Sequence, residues 1–497
     1  MQLPLRLDRT NSQRLHLQLF EHIRRLILDG RLRAHMRLPA SRVLAGDLGV
    51  SRNTVTAAYE MLMLEGYLAM HGPAGTFVAD TALADGPTLP SAPVRDEADA
   101  SGRKRRARLA FRGEAQVVLS PYESSARYDF WVGRPDPRLF PLRSWERILK
   151  RTLHAKPHRF CEYGSPAGLP RLRSVVAAHV GVARGIETDA SSVVITSGIQ
   201  EGLNLVARLL VQPGSEVAIE NPCYQGAAHL FASYGARLLP VPVDVDGVRT
   251  ARLPAEVACM YLTPSHQYPT GATLPMSRRN ALLDWSERIG AYIVEDDYDN
   301  DFYYDAAPLP ALKSLDRHDQ VIYLGTFSKC LGPGLRLGYM ILPKHLVAAA
   351  ITAKTLLNTC APWLDQALLA EFIESGGLSH HLRKLRTVCG RRRDCLVAAL
   401  REQFGSAVEI AGAASGMHLI WELPKHLPDA FELESRARSH GVGVYSVKTG
   451  NALVMGKALG ARYARTLLLG YAALDEGEIA EGIAALGRAA RVLAGSE

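Results

Sequence analysis

A lysine with reactive potential, Lys329, lies shortly after the apolar run 321–324, which predicts a buried strand. A lysine in such a loop can form a Schiff base with a carbonyl compound when its surroundings lower its pKa. The hydroxyls of Thr326 and Ser328 and the guanidinium of Arg336 are groups that can bind phosphate. The pattern favours a carbonyl- and phosphate-binding loop, although an exposed loop lysine is an equally good interpretation of Lys329 alone.

Further groups that suit a flat, phosphorylated heterocycle follow other predicted strands. Asp296 supplies a carboxylate that can hold a pyridinium proton, and Tyr298 a phenol for a ring hydroxyl. Ile199 and Gln200 begin a helix whose first backbone amides can hold a phosphate, and Tyr224 can stack on the ring. Each also has a plainer interpretation as turn chemistry or core packing, which is the better one for Tyr224 taken alone. Because α/β sheets place their ligand crevice at strand ends, we expect these side chains to meet.

These groups lie between runs of β-branched residues that alternate with segments of helical length. This rhythm predicts an α/β domain with a mainly parallel sheet. The last part of the chain instead mixes helices with short strands, which predicts a smaller α+β C-terminal lobe. The predicted strands are 193–195, 216–219, 291–294 and 321–324 in the sheet, and 418–421 and 466–469 in the smaller lobe.

The N-terminal part of the chain has the pattern of a helix-turn-helix. Apolar residues at three- and four-residue spacing predict an amphipathic helix that ends at Asp29-Gly30. A second, short helix is followed by a turn at Gly49-Val50, and Ser51 is the predicted N-cap of a third. The predicted elements are helices at 17–28, at 40–48 and from 51 onward, and wing strands at 66–69 and 75–78.

The third predicted helix has a polar first turn with an apolar stripe behind it. Arg52 can make bidentate hydrogen bonds to guanine and Asn53 to adenine, while a helix N-terminus favours phosphate. Val55, Ala58 and Tyr59 would face a core. This pattern favours a DNA-recognition helix over the alternative, a small helical docking module whose polar residues are merely solvated.

Composition limits the classes to which the protein can belong. Of 497 residues, 47% are hydrophobic, and 58 Lys and Arg against 50 Asp and Glu give a formal charge of +8. The length predicts two or more domains, and the charge permits a polyanion partner without requiring one. We see no secretory leader and no bilayer-length apolar run, so we expect a cytoplasmic protein without a membrane role. Seven cysteines without CxxC pairs or a Cys/His cluster predict reduced thiols and no metal site.

Three zones follow from these patterns. We assign residues 1–80 to a DNA-binding domain, 81–127 to a flexible linker and 128–497 to the α/β domain. Within that domain, the large lobe spans about 165–370 and the small lobe about 371–497. The linker is rich in Ala, Pro, Gly and Ser and lacks apolar periodicity. Its basic run 103–108 is usually only solvated in such a context, although contact with DNA phosphates is the alternative.

Residues 15 to 80 closely resemble the GntR-type winged helix-turn-helix. The resemblance is carried, in order, by Arg37-Leu38-Pro39-Ala40-Ser41-Arg42, Leu48-Gly49-Val50-Ser51-Arg52-Asn53-Thr54-Val55, Tyr59, Leu64-Glu65-Gly66-Tyr67 and Gly75-Thr76-Phe77-Val78. It implies that this domain binds double-stranded operator DNA. Together with the polar first turn of the third helix, it gives as candidate DNA contacts Arg42, Ser51, Arg52, Asn53, Thr54 and Gly75.

From about residue 130 onward the chain resembles fold-type I aminotransferases, which depend on pyridoxal 5'-phosphate (PLP). Joined to the winged helix, this domain resembles the MocR-type regulators of the GntR superfamily. The resemblance implies a homodimer with PLP as cofactor, Lys329 as the Schiff-base residue, Asp296 at the pyridine nitrogen and Tyr298 at the ring hydroxyl. The other implied contacts are Tyr224 stacked on the ring, Ile199, Gln200, Thr326, Ser328 and Arg336 around the phosphate, and Tyr163 at the neighbouring subunit's phosphate.

Two departures from the aminotransferase pattern bear on activity. Where transaminases commonly have Asn-Pro-Thr-Gly, this chain has Tyr-Pro-Thr-Gly within 266–271, so the asparagine contact to the ring hydroxyl is absent. The arginine that clamps a substrate carboxylate falls on Arg465 in one register of the last strand. In a second register, which we slightly prefer, Leu468 takes that position and the carboxylate anchor is lost.

Two functions are compatible with these residues. The first is a transcription regulator whose effector is PLP or an adduct of PLP with an amino compound. The second is a working aminotransferase that carries a DNA-binding domain. Lys329, Asp296 and Arg336 fit both, whereas loss of the carboxylate arginine favours the regulator. We expect a domain used mainly for sensing, with residual transaminase activity left open, and the sequence names neither the operator, the effector nor the direction of regulation.

Overall fold

The computed structural model describes residues 7–8, 13–79, 126–299, 301–305 and 307–491. The chain divides into two compact units, Met1–Ala107 and Arg108–Glu497. Most of the predicted linker, with its basic run 103–108, lies outside the described residues. Among those that are described, no helix has both the length and the apolar composition that crossing a bilayer needs.

The first unit is a bundle of three helices with a two-stranded wing. Its elements are α1 (Leu15–Leu28), α2 (Ser41–Leu48), α3 (Arg52–Leu64), β1 (Leu68–Met70) and β2 (Thr76–Val78). The wing strands pair antiparallel, with Leu68 opposite Val78. The three helices and the wing predicted from the sequence are thereby confirmed.

Local chemistry explains where α2 ends and α3 begins. Gly49 adopts a left-handed conformation with φ of 62°, which ends α2 and which glycine adopts without strain. The Ser51 hydroxyl accepts a hydrogen bond from the Thr54 amide at 3.2 Å, so Ser51 is the N-cap of α3 as predicted. Behind this turn, the fully buried Val55 and Ala58 of α3 join the core of the first unit.

The second unit alternates helices and strands. Its helices are α4 (Leu142–Ala155), α5 (Pro170–Arg184), α6 (Ile199–Leu210), α7 (Gln225–Ser233), α8 (Met276–Ile289), α9 (Leu312–Leu315), α10 (Val347–Asn358), α11 (Trp363–Glu374), α12 (Gly377–Phe404), α13 (Ala430–Ser439), α14 (Lys457–Tyr463) and α15 (Glu476–Arg491). Its strands are β3 (Tyr128–Asp129), β4 (Val193–Thr196), β5 (Glu216–Asn221), β6 (Cys223–Tyr224), β7 (Arg237–Asp244), β8 (Gly247–Val248), β9 (Cys259–Leu262), β10 (Tyr292–Asp297), β11 (Val321–Thr326), β12 (Gly338–Ile341), β13 (Glu409–Ala411), β14 (His418–Glu422), β15 (Val442–Gly443), β16 (Tyr445–Ser446), β17 (Ala452–Leu453) and β18 (Thr466–Gly470).

A large mixed sheet forms the centre of the second unit, in the order β4-β12-β11-β10-β9-β5-β7-β8. The strands β7, β5, β9, β10 and β11 run parallel to their neighbours in this series. β12 is antiparallel to both β11 and β4, and β8 is antiparallel to β7. The parallel part of the sheet is therefore as predicted, while β12 reverses direction between two strands that share one orientation.

Helices cover both faces of this sheet, which explains the continuous apolar runs of its strands. Val193 and Ile195 of β4 join one buried cluster with α5, α11 and α12, while Val194 between them joins another with α6, α7 and α10. Alternate side chains thus bury against opposite layers. The carboxyl ends of the parallel strands stay at one edge, where loops can meet a ligand.

The small lobe is an antiparallel sheet in the order β13-β14-β18-β16, packed with α12, α13 and α15. Its two longer strands are those predicted at 418–421 and 466–469, and Ile420 lies opposite Leu468. The segment that precedes the large lobe also reaches this region, because β3 pairs in parallel with β15, with Tyr128 opposite Val442. Nothing in the local sequence predicts this pairing.

Candidate functional site

A cavity of about 310 Å³ lies at the carboxyl ends of the central strands. Nine of the ten residues predicted to hold a cofactor line it, and Tyr163 does not. The nine are Lys329, Asp296, Tyr298, Tyr224, Ile199, Gln200, Thr326, Ser328 and Arg336. The structure thus brings together side chains that are up to 137 positions apart in the sequence (199 to 336), as expected if strand ends share one edge.

Lys329 lies in the loop after β11 with its amine inside the cavity. Its Nζ donates to the Gly133 carbonyl at 3.3 Å and lies 5.8 Å from the ring centre of Tyr298. Burial lowers the pKa of the Lys329 ammonium, and the carboxylates of Asp299 and Asp296 oppose part of that shift. A lowered pKa increases the fraction of free amine, which is the nucleophilic form.

Asp296, at the end of β10, has one carboxylate oxygen without a partner. Its Oδ2 accepts a hydrogen bond from the Tyr261 hydroxyl at 2.8 Å, whereas Oδ1 is buried and has no hydrogen-bond partner among the described residues. Burial raises the pKa of Asp296 to about 7, while the Tyr261 hydrogen bond acts in the opposite direction. An unpaired buried oxygen at a cavity wall fits a ligand that carries a ring N–H.

The opposite end of the cavity suits a phosphate. Gly198, with φ of 88°, precedes α6 and supplies no side-chain cap, so the first amides of the helix remain for an anion. Thr326 and Ser328 bring their hydroxyl oxygens to 3.0 Å from each other. The Arg336 guanidinium donates to the Ser197 carbonyl beside this helix end. Amides, hydroxyls and a fixed cation thus converge at one position.

Three of the tyrosines that line the cavity pack against one another. The rings of Tyr224 and Tyr298 each meet Tyr268 edge-on, with centroids 6.2 Å and 6.0 Å apart. Tyr268 stands where transaminases have the asparagine, and its hydroxyl donates to the Gly450 carbonyl in the small lobe. The Tyr298 hydroxyl oxygen lies 3.2 Å from Nδ1 of His266. The asparagine is therefore replaced by a residue whose polar atom is engaged elsewhere.

Neither candidate for a carboxylate anchor places a cation in the cavity. The Arg465 guanidinium donates to backbone carbonyls, including that of Leu427 at 2.8 Å, and the residue does not line the cavity. Leu468 is fully buried and packs close to Gly450. The arginines among the described lining residues are Arg336 and Arg134.

Tyr163 lies on the surface after α4, with 86% of its area exposed. The cavity is also lined by residues that were not predicted from the sequence, among them Trp131, Val132, Gly133, Arg134 and Asn451. They belong to loops that are far in sequence from the strands of the central sheet. An added Cβ at position 133 would collide with the Lys329 amine, which explains the glycine there. A glycine before Arg134 was the one local signal of such close backbone approach.

In the first unit, four of the six predicted DNA contacts lie at the start of α3, while Arg42 lies in α2 and Gly75 in the wing. Arg42, Arg52 and Asn53 are exposed, while the Thr54 hydroxyl lies 2.9 Å from that of Ser51. Gly75, in the wing, has φ of 106°. Arg37 was not among the predicted contacts. Its exposed guanidinium lies against Gly75, with Nε 3.1 Å from the position that a Cβ would take there. Exposed cations beside a helix N-terminus suit the DNA backbone.

Comparison with known proteins agrees with both units. The profile of the gntR family of bacterial regulatory proteins matches residues 15–78, and that of class I and II aminotransferases matches residues 134–485. The probable rhizopine catabolism regulatory protein MocR of Rhizobium meliloti is 35% identical over 484 residues, which cover 97% of this chain and 94% of that protein. The chain belongs to the MocR-type regulators of the GntR family.

As a MocR-type regulator, the protein is a transcription regulator that joins a GntR DNA-binding domain to an aminotransferase-like domain. The HTH-type transcriptional regulator TauR of Rhodobacter capsulatus is 34% identical over 468 residues, 94% of each chain. The α-aminoadipate aminotransferase LysN of Thermus thermophilus, solved with N-(5'-phosphopyridoxyl)-L-leucine, is 32% identical with a TM-score of 0.67. The match covers 74% of this chain and 92% of LysN. Fold-type I is thereby the fold of the second unit.

Proposed function

We propose that this MocR-type regulator binds PLP through a Schiff base on Lys329, and that PLP or its adduct with an amino compound controls operator binding. The observation that carries the proposal is the convergence of three groups on one cavity. These are an amine of lowered pKa, a buried Asp296 carboxylate oxygen that no described residue pairs with, and the anion site at the start of α6.

Each group has a part in holding the cofactor. When bound, PLP supplies an aldehyde carbon that condenses with an amine, with loss of water, and a ring that withdraws electrons from it. Asp296 would accept a hydrogen bond from the pyridinium N–H through Oδ1. Burial strengthens this hydrogen bond because the local dielectric is low. Arg336, Thr326 and Ser328 would hold the phosphate. Tyr224 would pack on the ring and Tyr298 would donate to its hydroxyl oxygen.

The regulator is favoured over a working aminotransferase by the fate of the carboxylate anchor. Transamination of an amino acid needs the substrate carboxylate fixed beside the reacting carbon. Arg465 is tied to backbone carbonyls and Leu468 offers no charge. Arg134, which lines the cavity, is paired with the Asp129 carboxylate at 2.7 Å. Amino compounds can still reach Lys329, so an adduct with PLP remains available as a signal. LysN, which holds a phosphopyridoxyl group joined to leucine, supports this chemistry in the same fold.

The proposed active form is a homodimer on operator DNA in the cytoplasm. Tyr163 is exposed on its own protomer and has a partner phosphate as its proposed target, so each cavity would be completed by the other subunit. Two winged helices in one dimer would fit two half-sites of an operator. Arg42, Arg52 and Asn53 would contact that DNA from the α2–α3 region.

Reduction and mapping of the Schiff base tests the proposal. The purified protein loaded with PLP should absorb in the visible range, because the imine is conjugated with the ring. Borohydride should fix the cofactor on the peptide that contains Lys329. Lys329→Ala should lose the covalent band, whereas Lys344→Ala, a change at an exposed lysine, should keep it. A fixed cofactor on another lysine, or on none, would refute the assignment.

A further inference from the structure

Beneath the cavity, a buried imidazole has no part in the function described so far. His266 and Asp299 are 2% and 4% exposed, and Nδ1 of His266 lies 2.9 Å from Oδ2 of Asp299. The same Nδ1 lies 3.2 Å from the hydroxyl oxygen of Tyr298, which lines the cavity. One ring nitrogen thus faces both a buried carboxylate and the phenol that would meet the cofactor.

The backbone around His266 prevents the imidazole from turning away. An added Cβ at Gly416 would collide with the His266 ring and lie 2.6 Å from Oδ2 of Asp299. An added Cβ at Gly271 would lie 2.9 Å from Nε2 on the other side of the ring. Both glycines have positive φ, 78° and 71°, so the chain takes a conformation there that favours glycine and packs directly on the imidazole. The ring is therefore fixed relative to Asp299 and Tyr298.

We propose that His266, held by Asp299, is a positioning residue that orients the Tyr298 phenol toward the ring oxygen of the cofactor, in place of the asparagine that this chain lacks. This inference rests on the proposed binding of PLP. Tyr268 occupies the asparagine position, but its hydroxyl donates a hydrogen bond to the Gly450 carbonyl. His266 acts on the ring oxygen of the cofactor indirectly, through its contact with the Tyr298 hydroxyl.

The Asp299 carboxylate sets the direction of this arrangement. An ionised carboxylate only accepts, so Nδ1 of His266, 2.9 Å from Oδ2, is the donor there, and the Tyr298 oxygen can accept from the same N–H. The other ring nitrogen, Nε2, lies 3.4 Å from the Gly412 carbonyl. Burial, followed by the charge of Asp299, raises the pKa of Tyr298 well above its ordinary value, so the phenol keeps its proton. With its oxygen occupied by His266, Tyr298 has its own proton left for an acceptor in the cavity. The chain therefore supplies one oriented donor where the asparagine is missing.

Other ionisable groups face this cluster and define the conditions of a test. Asp296 and Glu220 act on Tyr298 through their charge, and Nζ of Lys329 lies over its ring. His418 packs on His266 with ring centres 4.8 Å apart, and burial lowers its pKa well below the ordinary value, so it stays neutral. These four groups are common to the protein and to every variant of His266.

His418 also provides the matched control. It is 1% exposed, contacts the Pro269 carbonyl through Nε2 at 3.2 Å, and has no hydrogen-bond partner for Nδ1 among the described residues. Ligand atoms of His266, Asp299 and His418 lie within 4.8 Å of one another, so a metal ion is the competing occupant of this cluster. The control removes an imidazole of equal size that, among the described residues, makes no hydrogen bond to Tyr298.

The test is a pH titration of the visible absorption of PLP bound to full-length variants. A donor to the ring oxygen stabilises its negative charge and so lowers the pKa of the neighbouring imine nitrogen. His266→Leu should raise that apparent pKa by about one unit, since a hydrogen bond to a charged oxygen is of that size. His266→Asn keeps an N–H at the position of Nδ1 and should titrate close to the wild type. His418→Leu should also titrate close to the wild type.

Further measurements separate the possible failures. Tyr298→Phe should shift the pKa in the same direction, and adding His266→Leu to it should shift the pKa no further. If His266→Leu does not fold, Asp299→Asn, which weakens the acceptor, should give a smaller shift of the same sign. An unchanged titration in His266→Leu, an equal shift in His418→Leu, or one equivalent of tightly held zinc in the wild type would overturn the inference while leaving Lys329 intact. A wild type without the Lys329-dependent band would overturn the proposed function itself.

Discussion

Asp296 shows how one buried charge connects stability with ligand binding. Its carboxylate lies at the cavity wall, and its raised pKa of about 7 results from burial more than from any neighbouring charge. Before a ligand binds, the charged form costs free energy because no donor to Oδ1 is found in the described part of the chain. A ring N–H would remove that cost. We therefore expect the carboxylate to destabilise the cofactor-free protein and to hold the loaded one.

Asp296→Asn should stabilise the cofactor-free protein in a pH-dependent way. Below about pH 4 the wild-type carboxyl is protonated both folded and unfolded, so it gives no penalty. Between about pH 4 and 7 the unfolded state ionises first, and the penalty grows to the order of a few kcal/mol, since one pKa unit is about 1.4 kcal/mol. Above pH 7 it stays constant. Thermal unfolding of the two proteins without PLP should therefore diverge as pH rises to 7.

The same substitution should weaken PLP binding, because the pyridine nitrogen loses its charged acceptor. Asp284→Asn, at an exposed position of α8, is the matched control and should leave both the unfolding curves and PLP affinity unchanged. Unfolding temperatures of Asp296→Asn that run parallel to the wild type at all pH values would contradict the raised pKa.

At the residue scale, the sequence identified those site residues that directly follow strands. Lys329, Asp296 and Ile199 each follow an apolar run, and parallel strands place such positions at one edge. Arg134 and Asn451 could not be found this way, because they reach the cavity through loops of remote parts of the chain. The cluster of His266, Asp299 and His418 joins three separate segments of the chain, so no local residue spacing predicts it.

At the element scale, the start of α3 combines a structural and a recognition feature. The Ser51 hydroxyl accepts from the Thr54 amide and lies 2.9 Å from the Thr54 hydroxyl. These two side chains therefore use part of their hydrogen-bonding capacity on each other. Arg52 and Asn53, next to them, remain exposed. The capping residue thus fixes the first turn, and the residues beside it are presented to DNA.

Arg52→Ala should weaken binding to the operator more than binding to random DNA. A bidentate contact between arginine and guanine contributes about 1–3 kcal/mol of discrimination. Binding to a site selected from random-sequence DNA, and to an unrelated duplex, should be measured at one salt concentration. Arg25→Ala removes the same charge from an exposed position of α1 and should affect the two duplexes alike. Equal losses for Arg52→Ala on both duplexes would make it a phosphate contact.

Helices and strands with strong periodicity or clear caps were predictable from the sequence. Which strands pair with each other was not. The helices and wing of the first unit follow from apolar spacing, Gly49 and Ser51. By contrast, β3 pairs with β15 across more than 300 positions, and β12 enters the sheet antiparallel to both neighbours. Such choices depend on which faces remain to be covered in the assembled domain, which a short strand does not encode.

At the scale of the whole molecule, regulation requires communication between a DNA-binding unit and a cofactor unit. Covalent connection alone is not enough, since two units joined by a flexible linker can stay independent of each other. A ligand changes DNA affinity only when it binds one arrangement of the units better than another. The proposed function therefore requires a coupling free energy between PLP binding and DNA binding. This free energy can be measured without knowing how the two units are arranged.

The prediction is that PLP changes operator affinity and that operator DNA changes PLP affinity by the same factor. Typical coupling free energies of about 1–3 kcal/mol correspond to about a 5- to 150-fold change. Operator should be titrated into PLP-free and PLP-loaded protein at fixed salt, because phosphate contacts make affinity depend strongly on salt. Lys329→Ala, which lacks the covalent attachment, should show a reduced response. Identical isotherms with and without PLP would refute PLP as the effector. A response that arises only when an amino compound joins PLP would identify the adduct as the signal, since only the adduct would then distinguish the two states.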